Sequence, residues 1–209
     1  VRVADERGLH QDRGNVRRLE HREARLLDFR LVQVVDAAQL GEHGAAEVEE
    51  LFGRFTVRMV DLDTGEYLSD EELARPELNP DRYDQIKAAK DAKLSEALTG
   101  DDDIASIKRR EKVAQVYLLE EEGRLEKIVL PIRGYGLWST LYGFLVLEGD
   151  ASTVVGLAYY DQKETPGLGG EIGNPAWQAL WKGRHAYDSL GLPAIAVIKG
   201  QAGPPDKDP

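Results

Sequence analysis

The sequence has no cysteine and a single methionine in 209 residues. Without thiols there are no disulfides, thiolate metal sites or cysteine nucleophiles, and cysteine usage says nothing of the redox compartment. An excess of positive charge is also lacking. The 27 basic and 38 acidic residues leave a net charge of −11, the opposite of the clustered positive field that nucleic acid requires, so nucleic acid is excluded as a partner. The four histidines, His10, His21, His43 and His185, lie too far apart for a paired metal motif on one helix. Asp101-Asp102-Asp103 lacks the rest of a calcium loop and reads as a solvated turn, so no metal ligands are assigned. No apolar run approaches the ~20 residues that span a bilayer. The first thirty residues, strewn with Arg, Asp and Glu, carry no secretory signal, and the chain as given reads as soluble.

Glycine is plentiful, and its placement is uneven. Glu164-Thr165-Pro166-Gly167-Leu168-Gly169-Gly170-Glu171 combines a proline, three glycines and flanking carboxylates, a composition that no core strand or helix tolerates. Such a loop either turns sharply or lets the backbone come close to a ligand. Upstream stands Gly134-Tyr135-Gly136-Leu137-Trp138-Ser139-Thr140-Leu141-Tyr142-Gly143. Downstream stands Asn174-Pro175-Ala176-Trp177-Gln178-Ala179-Leu180-Trp181-Lys182-Gly183.

Two compositions meet near residue 48. Val1 to Glu47 holds eight arginines and no lysine, with only a ragged apolar stripe, and is expected to be weakly ordered. From Val48 the pattern sharpens. Phe55 to Val60 alternates like a strand and Asp63-Thr64-Gly65 closes it. Asn79-Pro80 predicts a helix start, the helix running to about Leu98 and ending at Gly100. Val113 to Leu119 and Leu125 to Ile132 flank a Gly-containing turn, and Leu141 to Leu147 and Thr153 to Tyr160 flank Gly149-Asp150, which makes two hairpins. Asn174-Pro175 repeats the helix-start chemistry, with Trp177, Leu180 and Trp181 on one face. Ala194 to Ile198 reads as a last strand, and residues 201–209 as an extended tail. Hairpins with helices before and after them predict an α+β fold, an antiparallel sheet with flanking helices, over residues 48–200.

The glycine loops fail as nucleotide fingerprints. Ser139 and Ile172 stand where the third glycine of G-x-G-x-x-G belongs, and no G-x-x-x-x-G-K-[ST] occurs. Ser139 has no nucleophile-elbow context, so no catalytic residue is assigned. What remains is a flat aromatic ligand held by backbone and apolar contacts. Leu137, Trp138 and Leu168 would form its walls, and Glu164 and Thr165 would offer a carboxylate and a hydroxyl at a heteroatom edge. Against this stand bland readings: Trp177 and Trp181 as core anchors, and Gly134, Gly136 and Gly143 as strand-connecting turns.

Taken together these runs resemble the C component (NqrC) of the Na+-translocating NADH:quinone oxidoreductase. The resemblance rests on Gly134 to Phe144 with Glu148 and Asp150, on Tyr159-Tyr160, on Glu164 to Glu171 and on Asn174 to Gly183, where Arg184 replaces the usual lysine. Val60 to Tyr67 and Val116 to Leu118 add to it, and it covers about Val48 to Lys199. The G component of the Rnf-type ion-pumping electron transport complexes shares the ETPGLG loop but is less similar at Trp138-Ser139-Thr140 and around Trp177 to Trp181. A flavin-free docking module in such a complex is the other alternative.

The resemblance implies an FMN-binding domain facing the periplasm from the bacterial inner membrane, on an N-terminal membrane helix. It implies FMN joined through its phosphate to a threonine of an S-G-A-T-x-T motif by a flavin transferase. It also implies electron relay among the other subunits, coupled to sodium export. By motif match Trp138, Glu164, Thr165, Gly167 and Leu168 would border the flavin. The S-G-A-T-x-T motif does not occur in this sequence, and the expectation is a fragment lacking helix and tether, with Val1 to about Glu47 unlike the family. Such a fragment is expected to bind FMN weakly and to be inactive alone.

Overall fold

The computed structural model describes residues 53–204; the reading of residues 1–47 as a weakly ordered segment, and the last five residues of the tail, lie outside them. The core is one antiparallel sheet of five strands, β1 (Phe55–Asp61), β4 (Val113–Glu121), β5 (Arg124–Tyr135), β6 (Thr140–Glu148) and β7 (Val154–Asp161), in the order β1-β4-β5-β6-β7. The last four form a meander, and β1 closes the edge beside β4. Residues 62–112 make the excursion between β1 and β4. They contain two one-turn helices, α1 (Asp70–Leu73) and α2 (Gln85–Ala88), and a small ribbon of β2 (Ser95–Ala97) paired with β3 (Arg109–Glu111).

The hairpins follow from local chemistry. Glu121 pairs with Arg124 across a two-residue turn in which Glu122 and Gly123 both have positive φ, 52° and 78°, the mirror-image geometry that suits the right-handed twist of the strands. At the β6–β7 turn, one Asp150 oxygen accepts the N–H groups of Ser152 and Thr153, each at 2.8 Å, and the other accepts the Thr153 hydroxyl at 2.6 Å.

Every residue from Val113 to Leu119 is buried, so both faces of the sheet are covered along β4. On one face Tyr117, Leu119, Val129, Phe144, Val146 and Val155 pack with Phe55 and Ala158, and Phe144 lies between Tyr117 and Tyr160 at ring separations of 6.4 and 5.2 Å. On the other face Val154, Leu147 and Ala186 gather Trp181, Tyr187 and Ile195 from the chain after β7. The large buried side chains of the first face, at about 1.5–3 kcal/mol each, supply the main stabilising term of the sheet.

Two expected elements take other forms. The helix predicted from Asn79 to Leu98 is instead a turn, then the single helical turn Gln85–Ala88, then β2. Asn79 caps only its own turn, accepting from the Asp81 N–H at 3.0 Å, and Asp84 becomes the helix cap by accepting from the Lys87 N–H at 2.9 Å. Burial decides against the long helix. The Tyr83 hydroxyl donates to the Val113 carbonyl at 2.5 Å, and Tyr83, Leu78 and Ala88 pack on Met59 from successive turns. Ala194 to Ile198 is not a strand: Pro193 makes an isolated bridge to Tyr187, and Val197 and Ile198 are exposed. The following residues, extended as expected, are nonetheless tied down, because Arg184 donates to the Gly203 carbonyl at 2.8 Å.

Candidate functional site

Strand register brings the two glycine loops together. Tyr135 pairs with Thr140, so Gly136 to Ser139 forms the four-residue tip of the β5–β6 hairpin. Tyr142, two residues beyond that tip, pairs with Asp161 at the end of β7. The chain leaving β7 therefore passes beside the hairpin tip, and Glu164 reaches it.

Glu164 is only 9 % exposed, and its carboxylate is fully engaged by backbone. One oxygen accepts the N–H groups of Trp138 and Ser139, at 3.0 and 3.2 Å; the other accepts that of Leu137, at 3.2 Å. Three successive amides of one loop thus converge on one carboxylate, an anion held by a backbone concavity with no cation at hand. The hold is reinforced from both sides. The Lys163 N–H donates to the Ser139 hydroxyl at 2.9 Å, and the Glu164 N–H to the Gln162 side-chain oxygen at 2.6 Å. Within the second loop the Thr165 carbonyl accepts from Leu168 at 3.1 Å and Gly170 at 2.9 Å.

This carboxylate also explains two of the glycines. A Cβ on Gly136 would stand 2.5 Å from Oε1 of Glu164, and one on Gly169 would stand 3.0 Å from Oε2 and from Cβ of the same residue. Both glycines are there because the backbone approaches Glu164. Gly167 differs: its φ is +75° and a Cβ there would meet nothing within 4 Å, so it serves the turn and faces open space. A further buttress was not legible beforehand. The Tyr135 N–H donates to the Ala105 carbonyl at 2.8 Å, which docks the Gly100 to Lys108 loop beside the hairpin. In that loop Asp103 accepts from the N–H groups of Ile107 and Lys108, both at 2.8 Å, so the acidic triplet forms a turn closed on itself.

Around the buried clamp, large apolar side chains point to solvent: Leu137 is 75 %, Trp138 64 % and Leu168 73 % exposed. Thr165 is exposed as well. Of the residues expected at a flavin, Trp138, Thr165, Gly167 and Leu168 are thus grouped about one anchor, with their side chains or open backbone available. Glu164 is placed among them, but its carboxylate is committed to the loop and is not offered to a ring edge. The arrangement fits a flat aromatic group lying against apolar side chains and glycine backbone. Trp177 and Trp181 stand apart on α3 (Pro175–Ala179) and the turn after it, in edge-to-face contact at 5.4 Å, with Trp181 packed on the core. Among the described residues no helix is long and apolar enough to cross a membrane.

A five-stranded meander whose hairpin tip is locked to a glycine-rich loop defines a flavin-binding class of domain, and residues 136–207 match the FMN-binding domain family. The chain belongs to the NqrC family, the C component of the Na(+)-translocating NADH-quinone reductases. It is 51 % identical over 185 residues to the family member from Pseudomonas aeruginosa, covering 87 % of this chain and 68 % of the relative. To the Yersinia pestis member it is 43 % identical over 167 residues, 79 % of this chain and 59 % of the relative. The chain thus spans roughly three fifths to two thirds of its relatives' length. The Pseudomonas match takes in more residues than lie beyond position 48, so it reaches back into the arginine-rich segment expected to be unlike the family. The crystal structure of Shewanella oneidensis NqrC superposes with a TM-score of 0.70 at 31 % identity, covering 86 % of this chain and 78 % of that one. The corresponding component from Parabacteroides distasonis, at 22 % identity and a TM-score of 0.60 over 88 % of this chain and 78 % of that one, shares the fold.

Proposed function

We propose that this chain is the FMN-carrying, electron-relaying part of a sodium-pumping NADH:quinone oxidoreductase, and that the flavin lies against the loop pair centred on Glu164. The observation that carries the reading is the exposure of Leu137, Trp138 and Leu168 on loops held rigid from within. Exposed apolar side chains on a well-anchored loop mark a binding surface rather than a packing failure. FMN, when bound, supplies the electron chemistry, and the protein supplies place and environment. Trp138 and Leu168 would cover the ring system with apolar surface and keep water from it. The exposed Thr165 hydroxyl would hydrogen-bond a heteroatom edge, and the backbone at Gly167 lets the ring approach.

The finer features rest on the family resemblance. The whole protein would face the periplasm on an N-terminal membrane helix. A flavin transferase would join FMN to a threonine of S-G-A-T-x-T. Sodium export would be a property of the assembled complex. No such threonine motif occurs in this sequence, so the chain is expected to hold FMN by loop contacts alone.

The test is titration of the purified chain with FMN, followed by flavin fluorescence, for the wild type and for Trp138→Ala. Saturable, weak binding that falls about tenfold in the variant is expected, a loss of roughly 1.4 kcal/mol. An unchanged affinity in Trp138→Ala would remove this surface from the flavin site. Nanomolar affinity in the wild type would refute the view that the family's tether supplies most of the hold.

A further inference from the structure

We propose that Glu164 is the positioning residue of this site: without touching the flavin, its carboxylate sets Trp138 and the Thr165 to Leu168 loop in the relation that a flat ring requires. The inference rests on the reading of the loop pair as the flavin surface and goes beyond it. It assigns a residue of the glycine-rich motif to the protein's own backbone instead of to the ligand.

Three observations converge. The carboxylate is buried while its neighbours in sequence, Lys163 and Thr165, are exposed. Both of its oxygens are bound by the consecutive N–H groups of Leu137, Trp138 and Ser139. Gly136 and Gly169, one in each loop, leave no room for a side chain where they meet it. One anion therefore fixes the backbone of both loops at once. A loop tip of two exposed apolar residues has no packing of its own to hold it, so its conformation depends on these hydrogen bonds. Hydrogen bonds to a charged acceptor are about twice as strong as neutral ones, and the fixed spacing of successive amides leaves few alternative placements for the carboxylate.

The experiment uses the full chain with FMN as the probe, comparing wild type with Glu164→Ala and Glu164→Gln. Amide hydrogen exchange at residues 137–139 reads the clamp itself. FMN affinity reads the site, and quenching of the Trp138 emission at saturating FMN reads geometry independently of affinity, the Trp138 component being the one lost in Trp138→Phe. Glutamine with its amide oxygen in place of Oε1 keeps the bonds from Trp138 and Ser139 and loses that from Leu137, so it is the milder change and guards against misfolding of the alanine variant. Expected are faster exchange at these amides, FMN affinity weakened about ten- to a hundredfold in Glu164→Ala, as for other supporting groups, and by less in Glu164→Gln. Reduced Trp138 quenching at saturation should accompany both.

Affinity and quenching unchanged in a folded variant whose amides exchange faster would overturn the positioning role and leave the flavin site standing. Unchanged exchange would show that the clamp does not hold the loop, and would overturn it too. A wild type whose amides are protected but which binds no FMN would overturn the flavin reading, and the positioning role with it.

Discussion

Gly136 and Glu164 should be energetically coupled, and the size of the coupling follows from the geometry. In Gly136→Ala the new Cβ would stand 2.5 Å from Oε1 and 2.9 Å from Cδ of Glu164, so the carboxylate must move. Moving it loosens its bonds to Leu137, Trp138 and Ser139, and overpacking of this kind costs about 1–3 kcal/mol. Glu164→Ala removes the acceptor for all three N–H groups. Because Leu137 and Trp138 are exposed, water replaces part of what is lost, and a cost of about 2–3 kcal/mol, near that of one buried charged hydrogen bond, is expected. If the two sites were independent, the double variant would lose the sum, roughly 3–6 kcal/mol. In the Glu164→Ala background, however, the obstructing atoms are gone. Only Cδ2 of Leu141, the tip of a flexible side chain at 3.2 Å, remains near the new Cβ. The double variant should therefore resemble Glu164→Ala alone, with a coupling of about 1–3 kcal/mol favouring the pair. Urea unfolding of the four proteins measures this, provided the m-values agree. Thermal midpoints give a second reading, at about 2–4 °C per kcal/mol for a domain of this size. Additive losses, within about 0.5 kcal/mol, would refute the argument that Gly136 is glycine because of Glu164.

The other glycines should separate by cause. Gly149→Ala drives its Cβ onto the backbone carbonyl of Leu125 on the neighbouring strand and should cost about 3 kcal/mol or more, whereas Gly167→Ala meets no atom and should cost about 1–2 kcal/mol of left-handed strain; equal losses in thermal unfolding would contradict this. Asp150 titrates below the usual carboxylate range: burial works to raise it, but the hydroxyl and N–H of Thr153, the N–H of Ser152 and nearby His185 outweigh burial. A depressed folded pKa gives stability that is present above the ordinary value of 3.8 and lost as pH falls through the lower folded value. The stability gap between wild type and Asp150→Asn should therefore be fullest near neutrality and shrink below about pH 4, and a gap that widens with acid would overturn that sign.

Sequence patterning carried the sheet because its signals are local. Period-two alternation, Glu122-Gly123 and Gly149-Asp150 each fix a strand or a turn within a few residues. Asn174-Pro175 did the same for α3, where the Asn174 side chain accepts from the Ala176 N–H at 2.9 Å. The excursion between β1 and β4 was misread because Asn79-Pro80 is as good a cap for one turn as for five. What broke the helix was nonlocal: the carbonyl of Val113 waiting for Tyr83 thirty residues away, and the pairing of Ser95 with Glu111. At the site the sequence named the right neighbourhood and assigned Glu164 the wrong duty. A carboxylate beside a glycine-rich loop looks like a ligand group until the register of β6 and β7 shows which backbone it meets. One signal was available: a second glycine-aromatic loop in the same sheet, with three N–H groups and no anion of its own.

Capture of the hairpin tip by backbone amides, and not by a side chain, has a consequence for what the surface can do. An arginine or lysine bound to Glu164 would have filled the space over the loop with a long side chain. Amides occupy no such space, so the side chains of Leu137 and Trp138 stay free to face outward while their backbone is held. The second loop achieves the same end through the Thr165 carbonyl, which holds Leu168 and Gly170 by their N–H groups and leaves the Leu168 side chain 73 % exposed. Both loops thus use backbone for rigidity and reserve apolar side chains for contact. That division suits a planar partner, which takes its affinity from area and its orientation from the fixed frame beneath. The frame is in turn set by the sheet: the pairings of Tyr135 with Thr140 and of Tyr142 with Asp161 determine that the chain after β7 passes the hairpin tip. A one-residue slip in either pairing turns the side chains to the opposite face and carries Glu164 away from the amides, so the site is a property of strand register before it is a property of any loop.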